Sequence, residues 1–198
     1  MDFATGVVIA LVVVVAVWAI ATYNRLRVLG NRVENAWSQI DVQLKRRYDL
    51  IPNLVEVARG YLQHEASTLE AVTQARSQAM KASQAVVGAG PRDGKAVTAL
   101  VNAEKTLGSD LGRLMLVVED YPELKADAQM KSLSEEISST ENRISFARQA
   151  FNDDVLAFND QVSQFPAVLV ARTLGFERMQ MLQSTANEQE RSAVKVQF

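Results

Sequence analysis

Residues 26–62 read LRVLGNRVENAWSQIDVQLKRRYDLIPNLVEVARGYL, and this stretch decides the fold. Apolar side chains recur at Leu26, Leu29, Val33, Trp37, Ile40, Leu44, Tyr48, Ile51, Val55, Ala58 and Leu62. The steps are threes and fours, so these residues share one face of a straight α-helix. Pro52 lies inside the run. Proline has no N–H, so the carbonyl of Tyr48 loses its helical donor. The stripe keeps its phase across Pro52, which predicts a kinked helix rather than a broken one. Beyond Leu62 the pattern weakens but persists through Leu69, Val72, Ala75, Ala79, Ala82 and Val86. The alanines imply a thin face that lets a neighbouring helix approach closely.

Upstream of the stripe, residues 3–23 carry no charge: FATGVVIALVVVVAVWAIATY. About 20 such residues span a hydrocarbon core of about 30 Å. Trp18 and Tyr23 lie toward one end, where amphipathic rings favour the interface. Ala19-Ile20-Ala21 resembles a signal-peptidase site, but Asp2 replaces the basic n-region and the apolar run exceeds a usual signal core. A retained anchor is therefore expected. Arg25, Arg27 and Arg32 follow at once. Positive charge stays inside, so the short N-terminus is expected outside and the body in the cytoplasm, on a single-pass inner (cytoplasmic) membrane protein. No glycine or proline falls between Val7 and Leu29, which predicts one continuous helix from the membrane into the body, with Gly30 its weakest point.

Downstream, GAGPRDG at residues 88–94 is the clearest loop. A second stripe follows at Val97, Leu100, Leu107, Leu111, Leu114 and Val118, interrupted by Glu104, and Tyr121-Pro122 closes it. A third helix is predicted from near Asp127. Its stripe is Met130, Leu133, Ile137, Thr140, Ile144, Ala147, Phe151, Val155, Phe158, Val162 and Phe165, spaced as in coiled-coil packing and ended by Pro166. The short apolar segment 167–176 is expected to fold back on the bundle. No strand-like alternation competes. The fold class is all-α: a single N-terminal transmembrane helix followed by an antiparallel, up-and-down bundle of long helices. Residues 1–24 form the anchor, 25–182 the bundle and 183–198 a mobile polar tail.

Composition bounds the function. The chain has 198 residues, 48% hydrophobic and 22% charged, with a net charge of -2, which argues against disorder and against a general nucleic-acid binder. The absence of cysteine removes thiolate catalysis, disulfides and cysteine metal sites. His64, the one histidine, belongs to neither a zinc-protease motif nor a Glu-x-x-His pair, and reads as a partly exposed helix residue. Lys45-Arg46-Arg47 reads as a solvated flank, with Lys45 placed to pair with Asp41 and Asp49; an acidic partner or anionic headgroups is the rival reading. Phe151-Asn152-Asp153 and Phe158-Asn159-Asp160 repeat one heptad apart. Two carboxylates on one flank make a poor metal cage, so the Asn-Asp pairs are assigned to structural or interhelical hydrogen bonding. Glu104 and Thr140, polar on apolar stripes, are expected to fix helix register. No P-loop, dinucleotide fingerprint or serine-nucleophile motif is present.

NAWSQIDVQLKRRYDLIPNLVEVARGYLQHE at residues 35–65 closely resembles the signature of the LemA family. YPELKA at 121–126, TENRISFARQ at 140–149 and FPAVLVA at 165–171 resemble it too. The resemblance covers nearly the whole chain and implies a single-span membrane protein with a helical cytoplasmic domain. A magnetosome membrane protein is similar to the family, which implies a part in membrane organisation. Where the family commonly has tyrosine, this sequence has Phe151 and Phe158, so no role for those hydroxyls is implied. The expected function is a membrane-anchored scaffold or interaction protein, or alternatively a self-assembling membrane-remodelling protein, without enzymatic activity. No catalytic, cofactor-binding or metal-ligating residue is assigned. The expected partners are membrane lipids, further copies of the chain and unidentified membrane or cytoplasmic proteins, but no nucleic acid.

Overall fold

A computed structural model describes residues 3–62 and 64–182. The expected mobile tail lies outside the described residues. Six helices follow in order: α1 (Phe3–Arg59), α2 (Ala66–Ala89), α3 (Gly94–Glu119), α4 (Pro122–Ala126), α5 (Ala128–Ser163) and α6 (Ala167–Thr173). Among the described residues there is no strand.

α1 is continuous for 57 residues, about 85 Å at 1.5 Å per residue. Its apolar first third lies open, and no residue of that window is buried against the protein. Burial begins at Thr22 and Leu26 and then follows the stripe from Val33 to Ala58. Gly30 is buried beside Phe158 and the Arg92 guanidinium, so neighbours brace the position expected to be weakest. The helix also runs through Pro52. The Tyr48 carbonyl that Pro52 leaves without a backbone donor accepts a 2.6 Å hydrogen bond from Arg76 Nε of α2. A side chain of the neighbouring helix thus satisfies a backbone group that would otherwise be costly to bury.

The reading of a helix persisting beyond Leu62 is corrected. α1 stops at Arg59, and α2, starting at Ala66, returns antiparallel to α1. Tyr61 and Leu62 N–H both donate to the Ala58 carbonyl, and Leu62 is buried at the turn. The stripe misled because Leu62 and Leu69 are both core residues, but Leu62 lies in the turn after α1 and Leu69 on α2. The bonds Arg76–Tyr48 and Ser83–Asp41 share one antiparallel register.

Other element ends fall where local chemistry puts them. Asp93 caps α3 by accepting from Lys95 and Ala96 N–H, and Asp127 caps α5 through Gln129 and Met130 N–H. These bonds hold the Asp127 carboxyl below its ordinary range. Pro122 opens α4 at its first turn. α1 packs most closely with α5 and α2 with α3, giving two tight pairs joined into one core. Trp37 meets Phe151 edge-on at 5.8 Å, and Phe158 lies by Gly30, so α5 runs antiparallel to α1.

Candidate functional site

The bundle centre holds charge. Glu104 interrupts the α3 stripe and is buried there. Arg47 of α1 points inward, 2% exposed, and its guanidinium bridges Glu104 of α3 and Glu141 of α5. Tyr48 donates its hydroxyl to the other Glu104 oxygen at 2.5 Å, and Arg148 Nη2 of α5 stands 3.5 Å from Glu104. Three helices therefore meet on one carboxylate. Burial, and then the negative charge of Glu104, pushes the Tyr48 phenol well above its ordinary range, so it stays protonated and donates.

Glu104 is thus bonded across helices, and the reading of the basic run is corrected. Arg47 is not on a solvated flank. Arg46 is, bridging to Glu136 at 2.6 Å between two partly exposed side chains. The expected Lys45 pairs with Asp41 and Asp49 are not among the ion pairs; Asp41 accepts from Ser83 instead. Thr140 is buried, but its hydroxyl donates to Glu136 of its own helix, so it bridges no helices. His64 is exposed, in the α1–α2 turn rather than on a helix. No group of three or more His, Cys, Asp or Glu converges among the described residues.

The heptad-spaced asparagines form a second structural device. Asn159 donates to the Met179 carbonyl at 2.9 Å and accepts from Met179 N–H at 2.8 Å. Asn152 makes the same pair of bonds with Leu182, both 2.8 Å. Seven helical residues rise about 10.5 Å. Three extended residues cover about 10 Å. A heptad of asparagine thus matches the step from Met179 to Leu182. The strap buries Met179 and Leu182 and touches α3 through Gln180 and Thr98. The sequence reading assigned these residues to structural or interhelical hydrogen bonding; the partner is a non-helical segment, which it did not foresee. Phe151 and Phe158 beside them are wholly buried. Asn159→Leu should leave the Met179 N–H and carbonyl unpaired and cost about 1–3 kcal/mol. Amide exchange at Met179 should accelerate well before the helices open; an unchanged rate there would show that the strap is held otherwise.

Two surface depressions, one by Arg92, Lys95 and Gln180 and the other by Tyr61 and Asp120, do not reach Glu104. The remaining conspicuous surface is the open apolar third of α1. These features define a helical-bundle protein whose first helix continues into a segment long and apolar enough to cross a membrane.

The chain belongs to the LemA family, whose profile, described as "LemA family", matches residues 36–198. It is 30% identical over 165 residues to Protein LemA of Metamycoplasma hominis, covering 83% of this chain and 70% of that one. It is also similar to Magnetosome protein MamQ of Magnetospirillum gryphiswaldense: 26% identity over 172 residues, covering 80% of this chain and 63% of that protein. A MamQ protein of Paramagnetospirillum magneticum matches at 26% over 175 residues, covering 81% and 64%. The chain thus spans slightly less than two thirds of the magnetosome relatives' length.

Proposed function

We propose that this protein is a membrane-anchored helical scaffold without catalytic activity. In this reading α1 crosses the inner membrane and holds the bundle at its cytoplasmic face, where the bundle engages lipid, further copies of the chain and partner proteins. The observation that carries the reading is the continuity of α1: an open apolar segment becomes the central helix of the bundle with no linker between them. The open segment would expose about 20 apolar residues to water unless lipid covers it. Arg25, Arg27 and Arg32 just beyond it support a cytoplasmic body. The enclosed Glu104 lock supports a non-catalytic role, since each of its oxygens is engaged by a neighbouring helix.

A cysteine at exposed Leu116 tests the topology, because the chain has no other. It should resist a membrane-impermeant thiol reagent in intact cells and react after lysis. Labelling in intact cells would reverse the orientation. Crosslinking in native membranes tests the scaffold itself. Capture of further copies or of defined proteins supports it, and a chain that crosslinks to no protein does not act as a scaffold.

A second reading is a self-assembling membrane organiser. Similarity to a magnetosome protein and the rigid α1 connection favour it, because a stiff helix passes forces among the bundles to the bilayer. Electron microscopy of the full chain separates the two. Discrete particles support the scaffold, and filaments or coats support the organiser.

A further inference from the structure

We propose that the α5–α6 corner is a second membrane contact, in which Phe165, Leu169 and Leu174 rest in the headgroup–acyl boundary beside the point where α1 leaves the bilayer. The inference rests on the anchored reading above and adds a lipid-binding surface within the bundle.

The first ground is height. α5 descends along α1 in one antiparallel register, with Arg47 facing Glu141, Trp37 facing Phe151, and Gly30 beside Phe158. Carrying that register onward brings the end of α5 level with Arg25 and Phe165 level with Tyr23. An independent contact agrees: the Phe176 ring, just past α6, packs on Tyr23 with centroids 5.9 Å apart. Tyr23 closes the uncharged run of α1, so the corner stands at the expected interface.

The second ground is which way the corner faces. Ala167 and Ala171 are one turn apart and buried against the bundle. Leu169 lies midway between them in sequence, and at 100° per residue it falls on the opposite face. Leu169 is 57% exposed, Leu174 53%, and Phe165, the residue before Pro166, is 81% exposed. Three large apolar side chains thus project from a short segment whose other face, through Ala167 and Ala171, is buried against the bundle. In water this would be an unfavourable surface.

The third ground is continuity, which selects lipid over a protein partner. The corner adjoins the open face of α1, where Ile20 is also exposed. The two apolar surfaces meet at Tyr23 and Phe176. Arg25, Arg27, Arg172 and Arg178 are exposed around this junction, against Asp160 and Glu177. An apolar patch edged by an excess of arginine suits an interface rich in anionic headgroups, because arginine buries its stem while its guanidinium remains among phosphates. A second contact beside α1 would fix the tilt of the bundle, as a single helix alone does not.

The test uses the full chain reconstituted in vesicles of zwitterionic and anionic phospholipid. A single cysteine is placed in turn at Phe165, Leu169, Phe146 and Val13, and each carries a polarity-sensitive fluorophore. Phe146 is the solvent control, 72% exposed on α5 and about 25 Å along the helix from its end at Ser163. Val13 is the span control. Lipids spin-labelled near the headgroup should quench the labels at Phe165 and Leu169 several-fold more strongly than the label at Phe146. Aqueous iodide should show the reverse order. If Phe165 and Leu169 behave like Phe146 while Val13 is still quenched by deeply labelled lipid, the corner contact is wrong and the anchor stands. If Val13 too escapes the lipid quencher, the anchored reading fails and takes this inference with it.

Discussion

Replacing Glu104 with alanine is expected to destabilise the bundle by about 3–5 kcal/mol, the usual consequence of removing one partner from a buried ion pair. Arg47 would stay in the core, held only by Glu141, which is itself 53% exposed and well solvated. Tyr48 would lose its acceptor, and Arg148 would lose its nearest acid. Urea unfolding of the full chain in detergent, followed by circular dichroism, measures the change. A shift below about 1 kcal/mol, no more than an ordinary hydrogen bond contributes, would remove Glu104 from the centre of the lock. The combined variant Arg47→Met, Tyr48→Phe, Glu104→Met should recover most of the loss, because apolar side chains of similar volume carry no desolvation cost. The lock also responds to alkali. The folded state keeps Tyr48 protonated above the pH at which an unfolded tyrosine ionises. Its contribution is therefore complete below about pH 10 and declines above it, as the unfolded chain releases a proton that the folded chain retains. Absorbance titration should show one of the four tyrosines ionising only as the helices melt.

Trp37→Ala is expected to cost a similar amount, about 3–5 kcal/mol, for a different reason. Trp37 is 5% exposed on α1 and meets Phe151 of α5 edge-on, within the most closely packed helix pair. Alanine would remove the indole and leave a void that helices locked on both sides by further apolar contacts cannot close. Its indole N–H is buried and finds no acceptor among the described residues. Trp37→Phe should therefore cost much less than Trp37→Ala: it keeps a ring against Phe151 and removes a buried donor that gains nothing. The two unfolding midpoints provide the check. Equal losses would mean that ring packing is not what holds α1 to α5 at this level.

Arg47 and the asparagines show how far the sequence could be read. Glu104 sat in phase with an apolar stripe, and a buried carboxylate requires a cation. At 100° per residue Arg47 lies about 40° beyond the edge of the helical arc that contains Leu44, Tyr48 and Ile51, and Lys45 about 60° beyond the other edge, so phase did not single out Arg47 and the run read as a solvated flank. Which helix would bring Glu104 to it was not written in either stripe. The two asparagines announced a repeat by their spacing. Their partner is an extended segment with no periodicity of its own, so nothing local marked Met179 and Leu182 as its contact points.

The sequence by itself determined the helices and most of their ends. Period and phase carry the long apolar faces of α1, α3 and α5, and Asp93, Pro122, Asp127 and Pro166 act through bonds and sterics within a few residues. It also determined the unbroken passage from the apolar segment into the bundle, since no helix breaker intervenes before Gly30. Only the tertiary structure decided where the first long stripe divides, because Leu62 and Leu69 are equally buried whether one helix continues or two pack side by side. It alone decided that Arg47 turns inward, that Arg76 takes the carbonyl freed by Pro52, and that residues 176–182 lie along α5. Each of these is a polar group satisfied by a residue distant in sequence, and such a partner is chosen by packing rather than by local pattern.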